Sequence, residues 1–459
     1  MTGLRSATLS STSVLAQSVA NIAPTGAVAI LVAPVAATAG NGGWLTWSIS
    51  MGTIVLVAIC VTALARRITG AGSLYSFATL GLGNRAGWLT GAGLLLLTLA
   101  AIPVLTIALA SFTTAFAAGV FHADISGPGW QYALYVATLA VAALIALSDV
   151  RLSTRALLVA ELLSVLAVVA LLVAVLVHRG HVVDTPQLTL SGVRPSALFN
   201  GCVITFFAFA GFESSSALGL EAKNPHRAIP RALIGSVLIG GLFFTFNAYA
   251  QQVGLGPAGI VASASPLNDL SAVLGASWVG YVLDALVCVS AIACIVANLN
   301  GVARVLYSSA ERGQLPAALT RTSRLQVPWV PIVAVLGLEL AFLSVVSWSG
   351  ADAFEVLGYC STTSGLAVLV AYLITLFATP VFLRRRGELR APITLVAVAA
   401  FVVIVVVLEQ SVRDATGTPG RYLPWAVLAY FVLALLASTI TGRATERAAA
   451  HNPEVLQHG

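Results

Sequence analysis

The chain has 459 residues, of which 58% are hydrophobic and only 9% charged, with a formal net charge of +6 and a mean hydropathy of +0.96. Soluble domains carry about 25% charged residues, so the composition excludes a soluble enzyme and describes a polytopic membrane protein. The positive excess sits in short loops, where it sets orientation in a bilayer, and it predicts no nucleic-acid partner.

The first dozen residues are polar, and MTGLRSATLSSTSVLAQSVANIAP lacks the short apolar core and cleavage site of a signal peptide. The first span is therefore expected to be retained. About 20 apolar residues cross a hydrocarbon core of roughly 30 Å. Twelve stretches qualify: about 14–38, 44–65, 86–117, 130–148, 156–178, 197–220, 232–253, 276–306, 328–348, 354–380, 391–410 and 423–441. The third, eighth and tenth are long enough to tilt or to project beyond the bilayer. With the N-terminus inside, all of the 23 basic residues except Arg179, Arg194, Arg413 and Arg421 fall on the inner side. The expected protein is an all-α, multi-pass one of the cytoplasmic membrane, with the tails 1–13 and 442–459 both cytoplasmic.

Two spans are interrupted. In the first, Asn21-Ile22-Ala23-Pro24-Thr25-Gly26-Ala27 places proline and glycine in mid-membrane, where proline removes a backbone donor and clashes with the preceding turn. In the sixth, the aromatic run Phe206 to Ala210 meets Gly211, then Glu213 and Ser214-Ser215-Ser216. A carboxylate near the bilayer centre costs roughly 2.5–3.5 kcal/mol, so Glu213 is expected to face a cavity or a partner. Glu221 then leads into the basic, proline-punctuated Lys223-Asn224-Pro225-His226-Arg227, which reads as a water-exposed loop. The two breaks lie five spans apart. Interrupted helices at corresponding positions of two halves point to a transporter site, and an odd repeat must be inverted. The chain thus divides into spans one to five (14–178), spans six to ten (197–380) and a peripheral pair (391–441). Free N–H groups at such a break attract a carboxylate, and free C=O groups an ammonium or cation.

Other polar features are weaker. Ser263, Ser265, Pro266, Asn268 and Asp269 suggest a short re-entrant or lid segment between spans seven and eight. Asp284 is expected at the outer interface or vestibule, Glu339 in a bond to a neighbouring helix, and Ser361-Thr362-Thr363-Ser364 either in the vestibule or in helix packing. The five cysteines all lie in apolar stretches with no CxxC pair and read as small buried hydrophobes. No nucleophile elbow, phosphate loop or HExxH occurs, so neither catalytic residues, nor a metal, nor a cofactor is expected.

FAFAGFES…EAKNPHRAIPRA resembles the sixth-helix signature of the amino acid–polyamine–organocation (APC) permease superfamily, bacterial amino acid permease type. Ile292-Ala293-Cys294 through Asn300, Arg304, Tyr307 and Glu311-Arg312-Gly313-Gln314-Leu315-Pro316 is similar to its eighth helix and following loop. Gly70 to Tyr75, Gly87-Trp88 through Gly91, and Val150 to Arg155 are similar to the loop after helix two and the starts of helices three and five. In order, these matches cover most of residues 10–390. The resemblance implies a leucine-transporter-type fold: a 5+5 inverted repeat with helices 1 and 6 unwound at the midplane. It further implies a substrate carboxylate on the backbone of Ala23, Pro24, Thr25 and Gly26, and a substrate amino group near the carbonyls of Phe207, Ala208, Phe209 and Ala210, beside Gly211. Phe207 occupies the position of an aromatic gate. Where several proton-linked members carry a helix-five lysine, this chain has Ser164, with Glu161 three residues earlier on nearly the same face.

The expectation is a secondary active transporter of amino acids, working by alternating access and coupled to protons or to exchange. Glu213, Glu161 and Ser164 are the coupling candidates. Arg66, Arg67, Arg151, Arg155, Arg304 and Arg312 read as orientation anchors or as an inner gate pairing with Glu221 or Glu311. The partners expected are a small-molecule substrate (an amino acid or amine), protons and the lipid bilayer, with the chain a monomer or homodimer. A polyamine or amine carrier of the same fold is the alternative. A membrane-embedded amino-acid sensor without transport is the alternative of another class.

Overall fold

A computed structural model describes residues 10–68, 73–148, 150–218, 222–263, 265–311, 313–323, 327–413 and 420–451. Its long helices follow from apolar runs that must satisfy every backbone hydrogen bond internally once water is absent. Sixteen α-helices occur among the described residues, with no β-strand: α1 Ser11–Ile22, α2 Pro24–Ala39, α3 Gly43–Ala65, α4 Ser73–Leu82, α5 Asn84–Phe121, α6 Pro128–Leu147, α7 Val150–Arg179, α8 Thr185–Leu188, α9 Pro195–Phe209, α10 Pro225–Ala262, α11 Pro266–Val273, α12 Ser277–Glu311, α13 Trp329–Ser349, α14 Ala353–Arg385, α15 Ala391–Arg413 and α16 Leu423–His451.

Eleven stretches among the described residues are long and apolar enough to cross a membrane, against the twelve expected. The difference lies at the start. Residues Pro24–Ala65 form one continuous stretch of 42 residues, because only the 3₁₀ turn Gly40–Gly42 separates α2 from α3 and no polar loop intervenes. The expected long spans are long: α5 has 38 residues, α12 35 and α14 33. The segment expected to be re-entrant contains the short helix α11.

The centre of the molecule is built from α1, α2, α3, α5, α9, α10, α12 and α14. The breaks of the first and sixth spans are both realised. Ala23 adopts a left-handed conformation (φ 47°, ψ 62°) between α1 and α2. Pro24, whose missing N–H costs nothing at a helix start, opens α2. α9 ends at Phe209, and a 3₁₀ segment, Phe212–Leu218, continues the chain beyond Gly211.

Around this centre the packing is tight. Trp47, Phe209 and Phe244 form an aromatic cluster of α3, α9 and α10, with centroids 4.8 Å apart for Trp47–Phe244 and 5.2 Å for Phe209–Phe244. A Cβ at Gly365 of α14 would lie 2.0 Å from the Val203 carbonyl oxygen of α9, so the two backbones touch. Ser50 of α3 and Thr205 of α9 share a hydrogen bond of 2.6 Å. Peripheral α15 and α16 expose Leu395, Val398, Leu433 and Leu436, as surfaces facing lipid do.

Candidate functional site

The two helix breaks meet. Gly211 has φ +106°, a conformation that side chains rarely adopt, and a Cβ there would lie 2.8 Å from the Asn21 carbonyl oxygen at the end of α1. Ser18 of α1 donates to the Phe212 carbonyl at 2.8 Å and to Ser236 of α10 at 3.1 Å. The unwound part of the sixth span is thus strapped to the first half of the first.

A cavity of about 40 Å³ opens beside this junction. Ala23, Gly26, Phe207, Ala208 and Ala210 line it, and these were expected at the site. Ile30, Leu31, Val104, Leu105, Cys294 and Asn298 also line it, and sequence reasoning did not place them there. Its wall, among the described residues, contains no charged side chain. The cavity holds a few waters' worth of space and is far below the roughly 300–1,000 Å³ of ligand pockets, so a ligand would require it to widen. The Asn298 amide group donates to the Cys294 carbonyl oxygen at 2.9 Å. A signal for Asn298 existed: Ser290, Cys294 and Asn298 recur every four residues, one face of one helix.

The remaining expected residues surround the cavity without lining it. Phe209 is wholly buried in the aromatic cluster. Pro24 and Thr25 are buried at the start of α2. The Thr25 N–H donates to Glu161 Oε1 of α7 at 2.9 Å, so the two candidate acids occupy different breaks. Glu161 caps an amide at the first, and Glu213 accepts from the Gly211 N–H at 3.1 Å at the second. Glu213 is also flanked by the buried Tyr372 hydroxyl of α14, which has no hydrogen-bond partner among the described residues. The Glu213 backbone carbonyl receives Ser216 at 2.6 Å and Ser73 at 3.2 Å. Ser164 is buried on α7, one turn from Glu161.

The polar features away from the junction resolve as follows. Asp284 is buried rather than lining a vestibule, because α11 folds over it: Ser265 donates to it at 2.7 Å and Asn268 at 3.1 Å. Glu339 is buried, and its Oε1 has no hydrogen-bond partner among the described residues, so the expected interhelical bond is not formed there. Ser364 bonds the Leu97 carbonyl of α5 at 3.2 Å, a packing contact.

On the arginine-rich side, Arg67 pairs with Glu388, which Arg386 also reaches at 3.1 Å. These two guanidinium groups hold the Glu388 carboxyl below the usual carboxylate range. Tyr75 of α4 donates to Gln314 at 3.3 Å. Glu221 and Arg312, expected in an inner gate, lie outside the described residues, as do the side chains of Arg151 and Arg155.

Comparison with known proteins agrees with this architecture. The chain is 26% identical over 382 residues to the uncharacterized transporter Rv1999c of Mycobacterium tuberculosis, covering 83% of this chain and 81% of that protein. It is 29% identical over 318 residues to the L-methionine/branched-chain amino acid exporter YjeH of Escherichia coli, covering 66% and 70%. It is 22% identical over 305 residues to the branched-chain amino acid permease BcaP of Bacillus subtilis, covering 64% of each. The family model described as amino acid permease matches residues 5–435. With that match running nearly end to end over a chain of broken membrane helices, the protein belongs to the amino acid permease family of the APC superfamily: it is a multi-pass membrane transporter and not an enzyme.

Proposed function

We propose that the chain carries neutral, apolar amino acids across the cytoplasmic membrane by alternating access, as a secondary active transporter. The observation that carries this reading is the cavity where the two broken helices meet. One wall, Ala23 and Gly26, belongs to the start of α2, whose exposed N–H groups favour a carboxylate. Another part of the wall, Phe207, Ala208 and Ala210, lies at the end of α9, where carbonyl groups left without helical partners favour an ammonium. Between them Ile30, Leu31, Val104 and Leu105 supply an apolar surface for a side chain. Two relatives whose names specify methionine or branched-chain amino acids support the same substrate class. A di- or polyamine would need carboxylates in the wall, and the described lining has none, which favours the amino acid over the amine.

Pro24–Ala65 counts as two crossings in this reading. At about 1.5 Å per residue its 42 residues measure about 63 Å, twice a hydrocarbon core. That gives twelve spans, an inverted 5+5 repeat and both termini on the arginine-rich, cytoplasmic side. Phe207 is the gate over the substrate, and Glu213 and Glu161, one at each break, are the coupling groups.

The test is flux in proteoliposomes of the purified chain loaded with labelled L-methionine, L-leucine, L-lysine or putrescine. The reading requires saturable, gradient-driven movement of methionine or leucine. Movement of putrescine alone would replace it with the amine carrier, and binding without flux would replace it with a sensor.

A further inference from the structure

The start of α2 is an anion site of unusual economy. Pro24 has no N–H, and the Ala27 N–H is already bonded to the Ala23 carbonyl at 3.0 Å. The terminus therefore offers the amides of Thr25 and Gly26. Glu161 takes the first, at 2.9 Å. Gly26, carrying the second, lines the cavity. A carboxylate entering the cavity to reach this terminus would meet the carboxylate of Glu161 across adjacent residues.

The surroundings of Glu161 hold it there without neutralising it. The hydroxyls of Thr25 and of Ser290 on α12 adjoin its carboxylate; both are buried, and neither oxygen has a hydrogen-bond partner among the described residues. Ser290 also packs against Gly26, its Oγ 3.4 Å from where a Gly26 Cβ would stand. The helices packed against α7 are α1, α2, α6, α10, α11 and α12. α1 and α2 have no ionisable side chain. On α12 the Cys294 thiol, itself in the cavity wall, feels the Glu161 charge. The other ionisable side chains of these helices, Tyr132 and Tyr135 of α6, His226, Arg227, Arg231 and Tyr249 of α10, Asp269 of α11, and Tyr281, Asp284, Cys288, Arg304, Tyr307 and Glu311 elsewhere on α12, form no ion pair with it among the described residues. The carboxylate thus has hydrogen-bond donors and a helix terminus, and no counter-cation among the described side chains.

We propose that Glu161 and the substrate carboxylate share the Thr25–Gly26 amide pair through one proton, so that each amino acid loads with one proton taken from water. Two carboxylates on one small site hold a proton between them because both cannot stay ionised at contact distance. The proton joins a carboxylate oxygen on loading and returns to water on release, and no other reactant is needed. Glu161 in this scheme is a positioning and coupling residue that stands in for the substrate carboxylate when the cavity is closed. The inference rests on the amino acid reading above.

The experiment is calorimetric titration of the purified full chain in nanodiscs with L-leucine and with L-leucinol, which lacks the carboxylate, in pairs of buffers that differ in ionisation enthalpy. Leucine is expected to bring about one proton per molecule near neutral pH, and leucinol none. Leucine affinity is expected to fall about tenfold per pH unit once Glu161 is ionised. Glu161→Gln should abolish both the proton uptake and the pH slope while still binding leucine. Leucine binding without proton uptake by the unmodified chain, or equal uptake by Glu161→Gln, overturns the proposal and leaves the amino acid reading standing. Failure of leucine and of every other neutral amino acid to bind removes that reading and this one with it. The leucine-to-leucinol comparison needs no variant: equal proton uptake with the two ligands overturns the proposal even if Glu161→Gln does not fold.

Discussion

Replacing Gly211 by alanine should be among the most damaging single-carbon changes in the described residues. Two effects add. An alanine at φ +106° occupies a region that costs about 1–3 kcal/mol for a residue with a Cβ. That Cβ would also sit 2.8 Å from the Asn21 carbonyl oxygen, a backbone atom that cannot rotate aside, so the two broken helices must separate. The sum is about 3 kcal/mol or more, a factor of roughly a hundred or greater in an equilibrium at about 1.4 kcal/mol per tenfold. Gly240→Ala is the matched control. Its Cβ would meet Ile22 at 3.6 Å, ordinary contact, and inside α10 the alanine should gain about 0.5–1 kcal/mol. The assay is thermal unfolding of both variants in one detergent, together with initial transport rates in proteoliposomes. Gly211→Ala should melt several degrees lower and transport at a few per cent of the unmodified rate or less, while Gly240→Ala matches or exceeds the unmodified protein. A Gly211→Ala variant as stable and as active as Gly240→Ala would refute the break-to-break contact.

Phe207→Ala should weaken substrate affinity by about ten- to a hundredfold, since a phenylalanine ring contributes roughly 1.5–3 kcal/mol when covered; unchanged affinity and rate would remove the gate. Glu213→Gln keeps an acceptor for the Gly211 N–H and removes the charge, so transport should fall at least about tenfold with membrane insertion intact. Full activity of that variant from about pH 5 to about pH 8 would remove its coupling role. Glu388 is held below the usual carboxylate range by Arg67 and Arg386. A lowered pKa stabilises above the ordinary value of about 4.3 and is lost as pH falls through the lowered one. Acid melting curves of Glu388→Gln should therefore lack a step present in the unmodified chain, and identical curves would show the pair to be idle.

The breaks were legible because proline and glycine leave marks that no other residue leaves. Pro24 and Gly211 announced both, and the structure moved the first only to its neighbour, Ala23, whose left-handed conformation no sequence pattern reveals. The acid at the sixth span was equally visible. What it touches was not, because Tyr372 comes from a helix more than 150 residues away in sequence. The apolar lining of the cavity, such as Val104 and Leu105, was illegible in principle: within a span where nearly every position is apolar, periodicity cannot say which face looks inward. The boundary between the first two spans is faint for the opposite reason: Gly40–Gly42 mark it in sequence and interrupt the helix by only a 3₁₀ turn. The ion pair at Glu388 was overlooked because its partner Arg67 lies across the fold, and surface charges at that separation carry no local signature.

The contact of Gly365 with the Val203 carbonyl has a mechanical consequence. Backbone pressed on backbone leaves no side chain to repack, and the Ser50–Thr205 bond pins the same stretch from a second direction. α9 is therefore an anchored strut, and the flexible joint lies at its far end, at Gly211. Substrate-dependent movement of the sixth span must appear as a swing of the segment Phe212–Leu218 about a stationary α9. Paired spin labels across α9 and α14 should keep one distance with and without substrate, while pairs spanning Gly211 change theirs; a shift of the whole helix would mean that the anchor slips.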